Sequence, residues 1–262
     1  MPAVPSVIVE HRGGVTIVEL ARPATGNALA AALVSELGAA LAALPATSRA
    51  LVLTGRGRHF CTGADLGELA ASVELPVVAH EADATRLAAL YAALLRCPLV
   101  TVAAVRGAAY GGGVGLAAAC DVVVAAPEAR FQFSEVRLGF VPALISTFLG
   151  RRIATAVLAR QFLDPAPLDA AAAQAIGLVD EVTDDPLARA QARALEISRK
   201  AAPSAVAQTK RLLLAATLPN LDAQLAEAVH ANARQRLHPE CRRGIAHFLA
   251  HRSFPDWLTE DG

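Results

Sequence analysis

The run Gly111-Gly112-Gly113-Val114-Gly115 constrains this chain more than any other feature. It follows an apolar stretch, Leu99 to Val105, and precedes the small-residue run Leu116 to Ala119. That order predicts a buried strand, a glycine turn and a helix. A turn of this kind presents unpaired backbone N–H groups at the positive end of a helix dipole. Glycine also lets a ligand approach the main chain closely. The combination suits a site that holds negative charge. Close packing of two backbones is the plainer alternative. Gly113 to Ala118 also fits G-x-G-x-x-A, but Arg106 to Tyr110 separates the strand from the glycines. No acidic residue follows about twenty positions on at a second strand end, so a dinucleotide turn is a weak reading. The GxxxxGK[ST], GxSxG and HExxH patterns are absent from the sequence.

At 262 residues the chain suffices for one large domain, or a domain with an appendage. Hydrophobic residues reach 54% and charged residues only 18%, which predicts a sizeable core. The excess is mostly alanine and leucine, favouring helix. Net charge is zero and no basic block occurs, so nucleic acid is not an expected partner. Cys61, Cys97, Cys120 and Cys241 are scattered without metal-ligand spacing, as expected of reduced thiols in a cytoplasmic protein. The N-terminus lacks a basic region followed by an apolar run, so no secretory signal is read there. Leu99 to Ala126 is apolar, but Arg106, the glycines and Asp121 interrupt it. It reads as strand, turn, helix and strand, and no membrane association is expected.

The pattern predicts an opening hairpin, Ser6–Glu10 with Val15–Glu19, turning at His11 to Gly14. Asn27 precedes a helical run over 28–44, and Ala50 to Thr54 reads as a buried strand. The loop from Gly55 to Leu66 carries three glycines, suggesting a defined shape. Val73 to Val78 has weak patterning and is expected to be mobile, ahead of a helix from about Ala82 to Leu95. Asp121 to Ala125, Phe131 to Phe133 and the region of Ile176 to Val182 read as further strands. Helices are expected over 203–216, 221–237 and 240–251, the second with an apolar face at Leu221, Leu225, Ala228 and Val229. The division expected is a core over 1–195 and a helical oligomerisation region over 196–262.

Gly63-Ala64-Asp65 offers a second source of backbone N–H groups. Two N–H groups from separate loops can converge on one oxygen, an oxyanion hole contributing about 3–4 kcal/mol per donor. Such a hole stabilises the enolate formed when a proton leaves the carbon beside a thioester carbonyl. Glu135 is the candidate proton carrier. Phe131, Phe133, Val136 and Leu138 surround it in sequence and would raise its pKa toward neutrality. A surface carboxylate is the plainer reading of Glu135 taken alone.

Asn27-Ala28-Leu29, Phe60 to Leu66, Gly107 with Tyr110 to Gly113, Asp121, and Phe131 to Glu135 with Gly139 and Pro142 are ordered and spaced as in the crotonase family. The chain resembles this enoyl-CoA hydratase/isomerase superfamily over nearly its whole length, through Gly177-Leu178-Val179 to Phe248 to Trp257. The resemblance implies an α/β fold, a spiral of ββα units with a helical C-terminal trimerisation region. It also implies an acyl-CoA thioester substrate, no cofactor beyond the coenzyme A of that substrate, and a homotrimer or hexamer. Ala64 and Gly112 match the two backbone donors to the thioester carbonyl. Asp65, Leu66 and Gly67 match the segment lining the coenzyme A tail. Glu135 matches the second of two hydratase glutamates.

The first hydratase glutamate falls at Gly115, so the usual two-glutamate mechanism is not open to this chain. Δ3-Δ2-enoyl-CoA isomerases also carry a single glutamate at the Glu135 position. Hydratases of the methylglutaconyl-CoA type resemble the chain more extensively, in Gly111 to Gly115, in Ser134 to Gly139 and in Pro142 to Ser146. Ser134 stands where proline is commoner and Ala143 where glycine is, which bears on pocket shape. The resemblance therefore implies a hydratase working through Glu135, with an isomerase or a non-catalytic acyl-CoA-binding scaffold as alternatives. Arg137 is a candidate for a substrate carboxylate or a local ion pair. His59 with Cys61 is a weak candidate for a nucleophile pair lacking an orienting group. His251 and Arg252 are candidates for coenzyme A phosphates across a subunit contact, or a solvated helix end. Tyr110 shapes the pocket or simply packs.

Overall fold

A computed structural model describes residues 4–258. The opening strands β1 (Val7–Arg12) and β2 (Val15–Leu20) pair antiparallel. Then β3 (Ala50–Gly55), β4 (Val100–Val105), β6 (Val122–Ala125) and β9 (Glu181–Val182) extend the sheet in parallel, in the order β1-β2-β3-β4-β6-β9. Every residue of β4 is buried, as a central strand covered on both faces requires. Side-chain alternation divides the core. Leu51, Leu53, Ala103 and Val105 face the larger cluster, whereas Ala50, Val52, Val102 and Ala104 meet Ala190 and Ala194 of α8 (Pro186–Lys200). A second sheet joins β5 (Ala108–Tyr110), β7 (Arg130–Gln132) and β8 (Leu168–Asp169) in the order β5-β7-β8.

The larger core is closed by α1 (Ala31–Ala42), α3 (Val77–Arg96), α4 (Gly112–Ala119) and α5 (Ala143–Leu149). The short helices α2 (Leu66–Ala71), α6 (Thr155–Leu163) and α7 (Ala170–Ala175) fill the connections. Three helices follow α8: α9 (Pro203–Thr217), α10 (Leu221–Leu237) and α11 (Pro239–His251). The apolar face of α10, with Leu221, Leu225, Ala228 and Val229 all buried, joins the main core beside α3 and α5. The position between residues 195 and 196 lies inside α8. Among the described residues no helix is long and apolar enough to cross a membrane. All four cysteines are buried free thiols.

Two sequence expectations need correction. Asn27 does not start a helix: α1 begins at Ala31, whose N–H is accepted by the Glu68 carboxylate at 2.8 Å. Asn27 is itself buried with φ 57°, and its amide accepts from Arg22 N–H at 2.8 Å and donates to Arg56 O and His59 O at 3.0 and 2.7 Å. It ties two loops together, a role that competes with capping. The second concerns the start of α3. Here Pro76 caps α3, which starts at Val77 rather than near Ala82, because proline suits the entrance of a helix.

Candidate active site

The five residues between β4 and the glycines are not a slack connection. They hold β5, which bridges to the loop after β3: Cys61 N–H donates to Ala108 O at 3.1 Å and Tyr110 N–H donates to Cys61 O at 3.0 Å. That ladder sets the two glycine loops side by side. A Cβ on Gly63 would lie 2.8 Å from Tyr110 O and 3.8 Å from Gly112 N. On the other side, Leu29 N–H donates to Gly63 O at 2.8 Å. Gly111 turns the chain with φ 48° and ψ −116°, a conformation costly for any residue with a Cβ. Gly112 is then the first residue of α4, so its N–H has no partner within the helix. Neither the Gly112 nor the Ala64 N–H has a hydrogen-bond partner among the described residues. The far end of α4 is held by Arg151 and Arg152, which donate to the carbonyls of Ala118 and Cys120.

Glu135 opens a 3-10 turn, Glu135–Leu138, ended by Gly139 at φ 67°. Its Oε1 reaches the glycine turn: a Cβ on Gly111 would stand 3.0 Å from it. Its Oε2 is closed to solvent and has no hydrogen-bond partner among the described residues. Burial pushes the Glu135 carboxyl up to about 7. Phe131 and Phe133 are buried beneath it in the core and Leu138 lines the cavity; Val136 does not.

Glu135, Gly111, Gly112, Gly63, Ala64, Asp65, Leu66 and Gly67 all line one cavity of about 600 Å³. The Asp65 carboxylate is committed elsewhere. It accepts from Gly67 N–H and Glu68 N–H at 3.1 and 3.2 Å, capping α2, and meets Arg22 at 3.3 Å. Gly115 does not line the cavity. A Cβ there would fall 2.4 Å from Ile145 Cγ2 and 3.0 Å from the Tyr91 hydroxyl, so these side chains fill the room a residue at 115 would need. Tyr91 donates to Gly112 O at 2.9 Å, and burial, with Cys61 and Glu135 nearby, pushes its phenol well above its ordinary value.

Sequence reasoning missed Tyr91, Ile145, Asn232 and Arg236, which all line the cavity. Asn232 carried a legible signal, since it continues the buried stripe of α10 as a polar residue. Its Oδ1 is closed to solvent and unpartnered among the described residues. Arg236 pairs with Asp83 at 2.5 Å. Tyr110 lines the cavity too.

The remaining candidates separate from the site or change role. The Cys61 thiol is fully buried, which pushes it up to about 12, and His59 Nδ1 accepts from Ala108 N–H at 3.1 Å. Burial and then Arg58 lower the His59 pKa, so the two supply no nucleophile pair. Among the described residues Arg137 meets neither an acid nor the cavity; its guanidinium stacks 3.8 Å from the Phe254 ring centroid. Arg252 lines the cavity, while His251 is exposed and packs against His247.

The family model described as enoyl-CoA hydratase/isomerase matches residues 10–259. A Thermus thermophilus protein named as an enoyl-CoA hydratase is 38% identical over 245 residues, covering 92% of this chain and 97% of that one. A Rhodobacter capsulatus protein named likewise is 37% identical, covering 91% of this chain and 93% of that one. The crystal structure of an enoyl-CoA hydratase/isomerase from Mycobacterium paratuberculosis superposes with a TM-score of 0.85 at 28% identity, covering 94% of this chain and 99% of that one. Matching the family model over residues 10–259 and a solved fold over 94% of its length, the chain belongs to the enoyl-CoA hydratase/isomerase family, the crotonase superfamily.

Proposed function

We propose that the protein is an enoyl-CoA hydratase, a lyase that adds water across the 2,3-double bond of an enoyl-CoA thioester. The observation that carries this reading is Glu135: a carboxyl pushed up to about 7 by burial, with Oε2 closed to solvent and unpartnered among the described residues, in one cavity with the Ala64 and Gly112 amides, which likewise have no partner among the described residues. A base poised near neutrality suits a reaction that takes and returns one proton. The Ala64 and Gly112 N–H groups form an oxyanion hole for the thioester oxygen, and Asp65, Leu66 and Gly67 line the coenzyme A tail.

Glu135 removes a proton from water as the water oxygen bonds to C3. The electron pair of the double bond moves through C2 to the thioester oxygen, and the two amides stabilise the enolate. The enolate then takes the proton from Glu135 at C2, leaving a 3-hydroxyacyl-CoA. No cofactor is required beyond the coenzyme A of the substrate. The protein works in the cytoplasm as a homotrimer or a dimer of trimers.

Gly115 and the side chains filling the space before it favour a second reading. A lone glutamate moving a proton between C2 and C4 makes a Δ3-Δ2-enoyl-CoA isomerase. A non-catalytic acyl-CoA scaffold gives no reason for a poised Glu135. Incubation with 2-enoyl-CoA in heavy-oxygen water decides between them. Labelled oxygen in a hydroxyacyl-CoA is the expected result. No oxygen uptake, with a shifted double bond in 3-enoyl-CoA, makes the protein an isomerase, and neither reaction leaves the scaffold.

A further inference from the structure

Gly113 to Ala119 of α4 are all buried, so water does little to screen the aligned peptide dipoles of this helix. Its Gly112 end borders the cavity. At its other end one amino group of Arg151, Nη2, donates to Ala118 O, Ala119 O and Cys120 O at 2.9, 3.0 and 3.0 Å. Arg152 Nη2 donates to Cys120 O and Asp121 O at 3.0 and 2.7 Å. The two cations differ in what answers their charge. Asp180 pairs with Arg152 at 3.1 Å and Asp121 pairs with Lys210, whereas Arg151 makes no ion pair among the described residues. Burial and then the neighbouring Arg152 lower the Arg151 pKa, so its charge is held there at a cost. The carbonyls at the C-terminal end of α4 are what offset that cost.

We infer that Arg151 is a positioning residue for the oxyanion hole: its guanidinium holds the far end of α4 and neutralises the negative pole there, leaving the positive pole at Gly112 to stabilise the thioester enolate. The inference rests on the oxyanion-hole reading. It holds for hydration and isomerisation alike, since both pass through that enolate. Along a helix the end that opposes an anion at the N-terminus is the C-terminal one, and a cation there removes the opposition. The 8 residues of α4 span about 12 Å, which sets the guanidinium about 15 Å from an enolate oxygen beside Gly112 N–H. At that separation, with an effective dielectric constant of about 20, a unit charge shifts the enolate equilibrium about fivefold. Arg151 itself is not among the residues that line the cavity, so it acts through α4 and through its field.

The test separates charge from shape. Arg151→Gln keeps a donor for the carbonyls and removes the charge, with Arg151→Met as a second neutral variant; Arg151→Lys keeps the charge. Each is compared with wild type on two ligands. Butyryl-CoA binds with a neutral carbonyl. Acetoacetyl-CoA loses its C2 proton to solvent, moving the electron pair onto its oxygens, and ultraviolet absorbance across a pH titration reads the bound enolate. The keto–enolate constant of bound acetoacetyl-CoA is expected to fall about fivefold in the neutral variants and to stay within about twofold of wild type in Arg151→Lys. The butyryl-CoA dissociation constant is expected to stay within about twofold in all three, because no charge develops on its oxygen. A neutral variant with the wild-type enolate constant overturns the inference. So does an Arg151→Lys variant that loses as much as the neutral ones, or an equal weakening of butyryl-CoA, which marks a merely structural residue. Wild-type protein that leaves bound acetoacetyl-CoA in its keto form overturns the oxyanion-hole reading, and this inference with it.

Discussion

Glu135 must begin the proposed cycle ionised, and its surroundings resist ionisation. The hydration kcat/KM is therefore expected to rise with pH, to bend near pH 7 and to level off above it. Glu135→Gln is expected to lose about 10²–10⁴-fold at every pH, the span of general acid–base catalysis. Stability carries the opposite sign. The folded pKa near 7 lies above the ordinary value of 4.5, so the folded state holds this proton more tightly. That contribution is complete below about pH 4.5 and is lost as pH passes through 7. From pH 5 to pH 8 the wild type is expected to lose up to about 3 kcal/mol that Glu135→Gln keeps, read as diverging melting temperatures. The identity of Glu135 as a candidate was legible in the sequence through its aromatic neighbours and its spacing from the glycines. Its isolation was not, because the segments that line its cavity come from across the fold. Asn232 shows the converse: a polar residue on an apolar stripe was visible, but not the cavity it borders.

At the scale of elements, the turn bearing Glu135 is held from outside by α10 and α11. Gly244 is packed so closely that an added Cβ would fall 2.4 Å from Leu138 O, a backbone atom at the end of that turn. Gly244→Ala is expected to push the turn out of line, costing tenfold or more in hydration and several degrees in melting temperature. Gly38, inside α1, supplies the contrast, because an added Cβ there meets nothing within 4 Å. Gly38→Ala is expected to gain about 0.5–1 kcal/mol from helix propensity and to leave activity unchanged, as thermal melts and kinetics will show. Periodicity located α10 at Leu221–Leu237, the span the structure gives. It failed at β5, a three-residue strand, Ala108–Tyr110, defined only by its partners β7 and Cys61. No local pattern distinguishes so short a strand from a loop, and it is this strand that sets the two donor loops beside each other. Asn27 misled for a related reason: its side chain serves Arg22, Arg56 and His59 rather than the helix that follows.

At the scale of the molecule, the C-terminal helices do two things at once. α10 completes the core against α3 and α5, and α9 is tied to the central sheet by Lys210, whose ammonium meets Asp121 and Leu99 O. α9 still presents Leu212 and Leu213 to solvent, each 59% exposed. The proposed trimer is expected to sediment at three times the 27.1-kDa chain mass, and a dimer of trimers at six times; a species at the chain mass alone defeats both. The closure of the site by α11 also bears on the order in which the protein is made. The glycine turn and Glu135 leave the ribosome more than a hundred residues ahead of Gly244. At about 5–20 residues per second, that leaves a delay of roughly 5–20 s. During it strands β1 to β7 and both glycine loops have already been synthesised, while α10 and α11, which wall the cavity, have not. Synthesis therefore delivers a framework first and a closed cavity last, so premature termination within α10 would yield a chain with Glu135 and no complete chamber around it.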